Sequence, residues 1–424
     1  MLKVTYNFLI KIFYIPYCFL ILLRRFYNKE HKEKFREKIF SNKKSRAPGF
    51  LFWFHAASIG ELNSIIPIIE FFLKKNIKFK FLITTVTISS FYEFEKKFKG
   101  NERIYHQFLP YDSKNLVEKF LNKWKPDIIS FVDSEIWPNF FFKIKEYKIP
   151  LILLNARITK KTFNRWKIVR NFATEVFNSI EVSISSNKET IDYLNYLKAK
   201  NIKFFGNIKF CSSINTETSK KNNNIQFERI VKKEKWCAVS THPDEELFCA
   251  NVHKLISKSY KNILTIIIPR HINNINKISS NLKKLGLKVQ IKNENDIIDD
   301  TVDIVLVNYY GSVKKYLENI KQIFIGKSLL KKLRRVGGQN PIDAAKMGCH
   351  IFHGPYVYNF KEIYDYLNIK KISEEIDKPD ILAKKLTQNF KDQTNTSRNN
   401  KDSLEEHGKY IFENVINEYE KFLK

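Results

Sequence analysis

No two cysteines in this chain stand at a metal-ligand spacing. The five present, Cys18, Cys211, Cys237, Cys249 and Cys349, are scattered and odd in number, which argues against a zinc site or a disulfide framework and for a reducing compartment. Neither GxGxxG nor a Walker sequence occurs, so dinucleotide and P-loop readings are disfavoured. Zinc-finger spacing, an aromatic RNP-type signature and a confined basic repeat are missing as well. Acidic residues are in deficit: 44 Asp and Glu against 74 Lys and Arg leave a formal charge of +30. That balance suits an anionic partner, whether nucleic acid, an anionic membrane surface or a phosphorylated substrate. Lys, Asn, Ile and Phe are abundant everywhere, however, as in a compositionally biased genome, so charge alone implies no nucleic acid and none is expected as a partner.

What is there begins with an apolar run. Val4 to Leu23 is interrupted by Asn7, Lys11 and Pro16 and has about the length that crosses a bilayer core. A basic cluster follows at once, from Arg24 and Arg25 through Lys29, Lys32, Lys34, Arg36 and Lys38, and such a cluster keeps its side of a membrane cytoplasmic and binds anionic headgroups. No small-residue cleavage site follows, so a removed signal peptide is not expected. A spanning anchor and an interfacial helix both fit the pattern.

At 424 residues the chain is long for one core, and two domains are the default. From Phe50 to about Phe210, apolar runs at Leu51 to His55, Phe79 to Thr84, Ile128 to Val132, Leu151 to Asn155, Val182 to Ser185 and Lys203 to Gly206 alternate with helix-length segments, which predicts a parallel sheet covered by helices. The polar stretch Ser212 to Asn224 reads as a linker. A second alternation follows, with strands expected at Trp236 to Ser240, Leu264 to Ile268, Lys288 to Ile291, Ile304 to Val307, Ile323 to Ile325 and His350 to Phe352. The expected division is thus 1–45 as an anchor and basic segment, 46–211 and 225–391 as Rossmann-like domains about a 212–224 linker, and 392–424 as tail and closing helix. Within the tail, Asp392 to Lys401 is expected to be loose, and the helix Leu404 to Leu423 to pack back across the domains.

Chemistry concentrates at the predicted strand ends. Glu61 follows the strand Leu51 to His55 through the turn Ala56 to Gly60 and opens a periodic helix. A first-turn acid complements its own helix dipole, worth about 0.3–1 kcal/mol; a carboxylate there is equally suited to act as a general base. Glu135 ends the strand Ile128 to Val132 in the same way, and Trp137 beside it reads as core. Lys209, in Gly206 to Phe210, is placed to balance developing negative charge, although in so basic a chain a solvated role serves as well. In the second half, Ser240 to Glu246 offers hydroxyls and helix-start amides to a phosphate, and Arg270 offers a planar fork. Gly337 to Ala345 supplies a glycine pair and a helix start carrying an acid. Acids on one half and phosphate-binding elements on the other are how a nucleotide-sugar-dependent glycosyltransferase is divided.

Taken in order, FWFHAASIGEL, PYDS (from Pro110), VDSEIWPN, LNARIT (from Leu154), GNIKF, STHPDEE, IIPRH, GGQNPIDAA and GPYVYNF (from Gly354) cover nearly the whole chain. In these motifs the sequence resembles the 3-deoxy-D-manno-octulosonic acid (Kdo) transferases of lipopolysaccharide assembly. The resemblance implies an α/β fold of two Rossmann-like domains facing across a cleft, the glycosyltransferase-B arrangement, with an N-terminal membrane-anchor helix. It implies inverting transfer of Kdo from CMP-Kdo to a lipid A precursor (lipid IVA) with a glutamate general base. No metal and no cofactor beyond that donor substrate are expected, and the expected location is the inner membrane with the catalytic domains on its cytoplasmic side. Residues 46–211 become the acceptor domain and 225–391 the CMP-sugar domain.

By position, the resemblance makes Glu61 the catalytic base and makes Glu135 and Lys209 residues that assist the transition state. Pro269 and Arg270 become a CMP-contacting pair, Asn340, Pro341, Ile342 and Asp343 the segment that holds the CMP moiety, and Tyr310, Gly311 and Ser312 a third contact. The sequence departs from the family pattern at Asn308 to Ser312, where an acid and a Gly-Glu pair are usual. It also has Asp343 in place of Glu, and Lys327 breaks a glycine pair. These departures bear on donor affinity more than on reaction type. Two other readings stand beside this one. A different sugar-nucleotide enzyme of the same fold, such as an epimerase, would prefer UDP to CMP. A non-catalytic, membrane-tethered basic binding protein would show salt-sensitive binding and no CMP release.

Overall fold

The computed structural model describes residues 2–40, 46–211, 233–392 and 397–423. The chain forms two compact units, one of Met1–Ser213 with His407–Lys424 and one of Ile214–Glu406. The stretch read as a linker, 212–224, lies outside the described residues.

In the first unit the strands β1 (Leu51–His55), β2 (Lys80–Thr85), β3 (Ile104–Phe108), β4 (Ile128–Val132), β5 (Leu151–Ala156), β6 (Val182–Ser185) and β7 (Ile202–Phe204) form one sheet. Every pairing is parallel, in the order β3-β2-β1-β4-β5-β6-β7. β1 is buried along its whole length because its aromatic residues fill both faces of the sheet. Trp53 packs on Phe120, Phe131 and Phe140 on one face. On the other, Phe52 stacks on Phe72 and Phe81 at 5.0 and 5.2 Å. Each such side chain contributes about 1.5–3 kcal/mol of burial. The strand order reverses between β1 and β4, and ligands of open α/β sheets sit at such a reversal, beyond the carboxyl ends of the strands.

The helix Leu2–Phe26 is long and apolar enough to cross a membrane by length and composition, yet one of its stripes is tied to the first unit. Tyr6 donates to Asp112 (2.7 Å), Tyr111 donates to the Ile10 carbonyl (3.0 Å) and Tyr14 to the Ile39 carbonyl (2.6 Å). Ile21 is buried with Phe35 and Ile39, and Arg24 pairs with the buried Glu30 at 2.7 Å. These positions recur at three- and four-residue steps, as one helix face requires. A second stripe at the same steps, Val4, Phe8, Ile12, Ile15, Phe19 and Phe26, is exposed.

The closing helix, Ser397–Glu420, begins within the stretch whose polar composition reads as loose. Its apolar spacing, Leu404, Ile411 and Val415 buried, carries the helix back through those polar residues. From His407 on it belongs to the first unit. There it packs on the segment after β7: a Cβ on Gly408 would stand 2.5 Å from the Phe210 carbonyl oxygen, and one on Gly206, whose φ is +115°, would stand 2.7 Å from Ile411. Gly206 therefore meets two demands at once, a left-handed backbone and a close approach.

The second unit repeats the architecture with β8 (Glu234–Thr241), β9 (Ile263–Pro269), β10 (Val289–Lys292), β11 (Ile304–Val307), β12 (Gln322–Ile325), β13 (His350–His353) and β14 (Ser373–Glu375), all parallel. The order is β10-β11-β9-β8-β12-β13-β14, with the reversal between β8 and β12. Its core gathers Trp236, Ile267, Leu306, Phe324 and Phe352. Two strands escape the sequence reading, β3 and β14, and both are sheet edges. Both lack a continuous apolar run: β3 carries His106 and Gln107, the latter buried and accepting from the Trp124 indole at 2.8 Å, and β14 is the polar triplet Ser373-Glu374-Glu375.

Candidate active site

In the first unit Glu61 and Glu135 follow β1 and β4, the two strands at the reversal, where His55 pairs with Phe131 in register. Ser58 caps the helix Ile59–Lys75, accepting from the Glu61 amide at 3.3 Å. The Glu61 carboxylate folds back on this turn and accepts from the Ala57 amide (2.7 Å) and the Ser58 hydroxyl (2.8 Å). The capping role is thus physically present, and the same carboxylate stands at the strand-order reversal. Burial pushes the Glu61 carboxyl up to about 7, against its hydrogen bond with Ser58, and the nearby charges of Asp133 and Glu135 add to the push.

Glu135 has the opposite environment. Burial would raise its carboxyl, but hydrogen bonds from His55 and Trp137 outweigh that and hold it below the ordinary glutamate value. The Trp137 indole donates to Oε2 at 2.9 Å, and His55 Nε2 lies 3.3 Å from the same oxygen. Trp137, read from sequence as core, is therefore half-buried with its polar edge committed to the site. The helix that follows, Pro138–Glu146, is fixed from below by Asp112, which is 1% exposed and accepts the amides of Asn139 (3.1 Å) and Phe140 (3.0 Å). The PYDS motif thus holds the Glu135 segment in place.

Lys209 donates to Asp133 at 3.3 Å. The lysine joins Glu61 and Glu135 through this third acid, which the sequence reading passed over. Asp133 has φ +63°, and its carbonyl accepts from Arg157 at 3.3 Å. Asp is among the residue types that tolerate a left-handed backbone, and this φ marks the turn out of β4, a mark that lies in the backbone and not in the sequence.

In the second unit the helix-start carboxylate of Glu245 organises the reversal. It is fully buried and accepts four backbone amides: His242 (2.9 Å), Lys327 (2.7 Å), Ser328 (2.9 Å) and Leu329 (3.1 Å). Thr241 donates its hydroxyl to Glu246 at 2.9 Å, and burial pushes the Glu246 carboxyl to about 7. Two of the donors that the sequence reading offered to a phosphate, the Thr241 hydroxyl and the His242 amide, are therefore spent on internal carboxylates. Positive charge remains at this sheet edge. Pro269 ends β9 and Arg270, exposed, ties its amide to the Thr241 carbonyl at 2.9 Å. His242 stands 5.7 Å from His271, ring to ring, within the field of Arg270 and Lys327, and its Nε2 is buried without a partner among the described residues. Burial lowers its basicity.

The remaining predicted positions lie on two further turns. Tyr310 is 70% exposed, Gly311 has φ +79°, and Ser312 is buried with its hydroxyl donated to the Tyr309 carbonyl at 3.3 Å. Ser312 is thus committed to its own turn. Asn340 is exposed and accepts the Ile342 amide at 3.1 Å at the start of the short helix Ile342–Lys346; Pro341 and Ile342 are buried and Asp343 is exposed. Lys314, on the helix that Ser312 opens, lies within electrostatic reach of Asp343. The GPYVYNF motif supports this turn, since a Cβ on Gly337 would collide with the Tyr356 carbonyl oxygen, and Tyr364, on the helix after the motif, donates to the Gln339 carbonyl at 3.0 Å. Lys327 keeps φ +60° at the place of the broken glycine pair, pinned between Glu245 and the Gly338 amide (2.8 Å).

Residues 22–212 match the family model described as 3-deoxy-D-manno-octulosonic-acid transferase (kdotransferase). A probable mitochondrial 3-deoxy-D-manno-octulosonic acid transferase of Arabidopsis thaliana is 28% identical over 80% of this chain and 76% of its own length. The transferase of the same name from Rickettsia bellii is 29% identical over 80% and 79%, and that from Haemophilus influenzae 24% over 74% and 72%. Among solved structures, a glycosyltransferase from Rickettsia africae matches with a TM-score of 0.58 at 12% identity, covering 89% of this chain and 100% of that one. A putative UDP-N-acetylglucosamine 2-epimerase from Listeria monocytogenes matches with a TM-score of 0.59 at 12% identity, over 88% and 98%. These last two establish the shared two-Rossmann fold class.

Proposed function

Since the chain belongs to the Kdo transferase family and is a glycosyltransferase acting in lipopolysaccharide synthesis, we propose that it moves Kdo from CMP-Kdo to a lipid A precursor with Glu61 as general base. One observation carries the assignment of the base. Two neighbouring carboxylates at the strand-order reversal are driven apart, Glu61 up to about 7 and Glu135 down, and such splitting marks the member that exchanges a proton near neutral pH.

In this reading Glu61 takes the proton of the 6′-hydroxyl of the acceptor's glucosamine disaccharide. That oxygen bonds to the anomeric carbon of Kdo as the bond to CMP breaks, with the electron pair leaving on the phosphate and the anomeric centre inverting. Glu135 stays ionised and offsets the positive charge that develops on the sugar. Lys209, steadied by Asp133, offsets negative charge, and Arg270 with the His242 ring supplies charge and a donor for the phosphate. Pro269, the Tyr310 to Ser312 turn and the Asn340 to Asp343 turn hold the remainder of CMP. No metal ion takes part in any of these steps.

The N-terminal helix supports a membrane-bound enzyme, and its two stripes favour a helix lying in the plane of the inner membrane's cytoplasmic face. The tied stripe would have to leave the first unit for the helix to cross a bilayer, whereas the exposed apolar stripe and the basic residues after it suit an anionic surface. Incubating the enzyme with CMP-Kdo and a tetraacylated lipid A precursor and weighing the product lipid tests the reaction: gain of one or more Kdo masses supports it. A thermal shift with UDP larger than with CMP, and no mass gain, would overturn it.

A further inference from the structure

We propose that His55 is a positioning residue for Glu135, donating from the strand end to one carboxylate oxygen so that the other is left open to the reaction; this rests on the Kdo-transfer reading. His55 is the last residue of β1 and is fully buried, packed by the rings of Phe131 at 5.1 Å and Trp137 at 6.3 Å. Its Nδ1 lies 3.0 Å from the Thr84 hydroxyl and 3.2 Å from the Thr84 carbonyl oxygen. The Trp53 indole donates to that same hydroxyl oxygen at 2.9 Å.

The Glu135 carboxylate places a proton on the other nitrogen, because an ionised Oε2 only accepts. With Nε2–H so set, Nδ1 of the neutral ring accepts from the Thr84 hydroxyl at 3.0 Å, whose other acceptor, the Phe54 carbonyl, is 3.5 Å away. An imidazolium would instead donate from Nδ1 to the Thr84 carbonyl and from Nε2 to Glu135. In both states Nε2 carries a proton and points it at Oε2, 3.3 Å away. The Nδ1–H tautomer would set a lone pair against a carboxylate. Oε2 thus receives two ring donors, His55 and Trp137. Among the described residues no donor reaches Oε1.

This arrangement decides where the abstracted proton goes. Two carboxylates close enough to feel each other share protons unless their surroundings differ. Glu135 is faced by His55 from β1, by Trp137 from its own segment, and by the carboxylates of Glu61 and Asp133, the latter paired with Lys209. Remove the His55 donor and burial raises the proton affinity of Glu135, so that the Glu135 carboxylate competes with Glu61 for the proton of the acceptor hydroxyl. His55 touches no reacting atom in this scheme.

The test compares His55→Asn with His55→Gln in the full-length enzyme, measuring transfer from CMP-Kdo against pH. A glutamine amide reaches the place of Nε2; an asparagine amide reaches only that of Nδ1. His55→Asn should lose about tenfold to a hundredfold in kcat, the scale of a misplaced reacting group, with donor KM little changed. Its acid limb should move up by about one pH unit. His55→Gln should recover most of the rate and the wild-type limb. Equal rate losses in both variants with an unmoved acid limb would reduce His55 to packing and overturn the inference while leaving Kdo transfer intact. Failure of the wild type to transfer Kdo would overturn the parent reading and this one with it.

Discussion

Replacing Glu61 by Gln should act on activity and on stability with opposite pH signs, and the size of the second effect follows from the site. The carboxyl is carried from its ordinary 4.5 to about 7 in the folded chain. A raised carboxyl favours the protonated native state, so native stability is fullest below 4.5 and is lost as pH rises to about 7. At about 1.4 kcal/mol per pH unit the ceiling of that loss is about 3 kcal/mol. Glu61 is only half-buried, and solvent screening reduces this to about 1–2 kcal/mol. Activity runs the other way, because a general base works only when ionised and so gains as pH rises through about 7. Glu61→Gln should therefore lower kcat by about a hundredfold to ten-thousandfold. In the same variant the first unit should melt a few degrees higher than wild type at pH 8 and no higher at pH 4. Subtracting the variant's melting curve from the wild type's cancels the parallel contributions of Asp112 and Glu246, both also pushed to about 7 by burial. Near-normal turnover of labelled donor by the variant would refute the base assignment. An unchanged pH dependence of melting would refute the electrostatic account.

Other perturbations separate scaffold from site. Glu245→Ala leaves four backbone amides, one buried and three part-buried, without their acceptor, and at the low end of about 1–3 kcal/mol for each unsatisfied group it should cost the second unit on the order of 4 kcal/mol in denaturant unfolding and abolish the CMP-induced thermal shift; a loss under about 1 kcal/mol would contradict its role. Changing Phe8, Ile12, Ile15 and Phe19 together to Ser removes exposed side chains only, so it should release the enzyme from sedimenting anionic phospholipid vesicles without altering its melting temperature; undiminished co-sedimentation would rule out an in-plane helix. Transfer should survive exhaustive treatment with EDTA, and a loss that added Mg²⁺ restores would show that the reaction depends on a metal.

Much of this was legible in the residues because buried parallel strands announce themselves as continuous apolar runs. Leu51 to His55, Ile128 to Val132, Val182 to Ser185 and Ile304 to Val307 are strands over the ranges their composition suggests. The edge strands β3 and β14 were not, since polar residues, Gln107 among them buried on a hydrogen bond from Trp124, interrupt any such run. At the site, Glu61 and Glu135 could be found as acids following buried strands. Asp133 and His55 could not: the first is marked by a left-handed backbone, the second by hydrogen bonds to Thr84 and to Glu135, residues 29 and 80 positions away. Local pattern places a residue on an element; only the register of β1 against β2 and β4 brings Thr84 and Glu135 to the same imidazole.

The strand-end acids also explain why position alone left the role of Glu61 open. An ionised carboxylate offers about four acceptor sites, and what fills them separates the two kinds of acid in this fold. Glu245 has four backbone amides, and Asp112 has two amides and the Tyr6 hydroxyl. Glu245 is saturated by groups that cannot leave without unfolding a loop, and Asp112, with three donors, lacks one; such a carboxylate has little left for an incoming hydroxyl. Glu61 has one amide and one serine hydroxyl, and Glu135 has two ring donors on a single oxygen. Sequence shows four acids near helix starts and cannot rank them. Counting donors does: of these four, the two with the fewest donors are the two that follow β1 and β4, and of that pair Glu61, the one driven toward neutral pH, is the one proposed to take a proton and give it back.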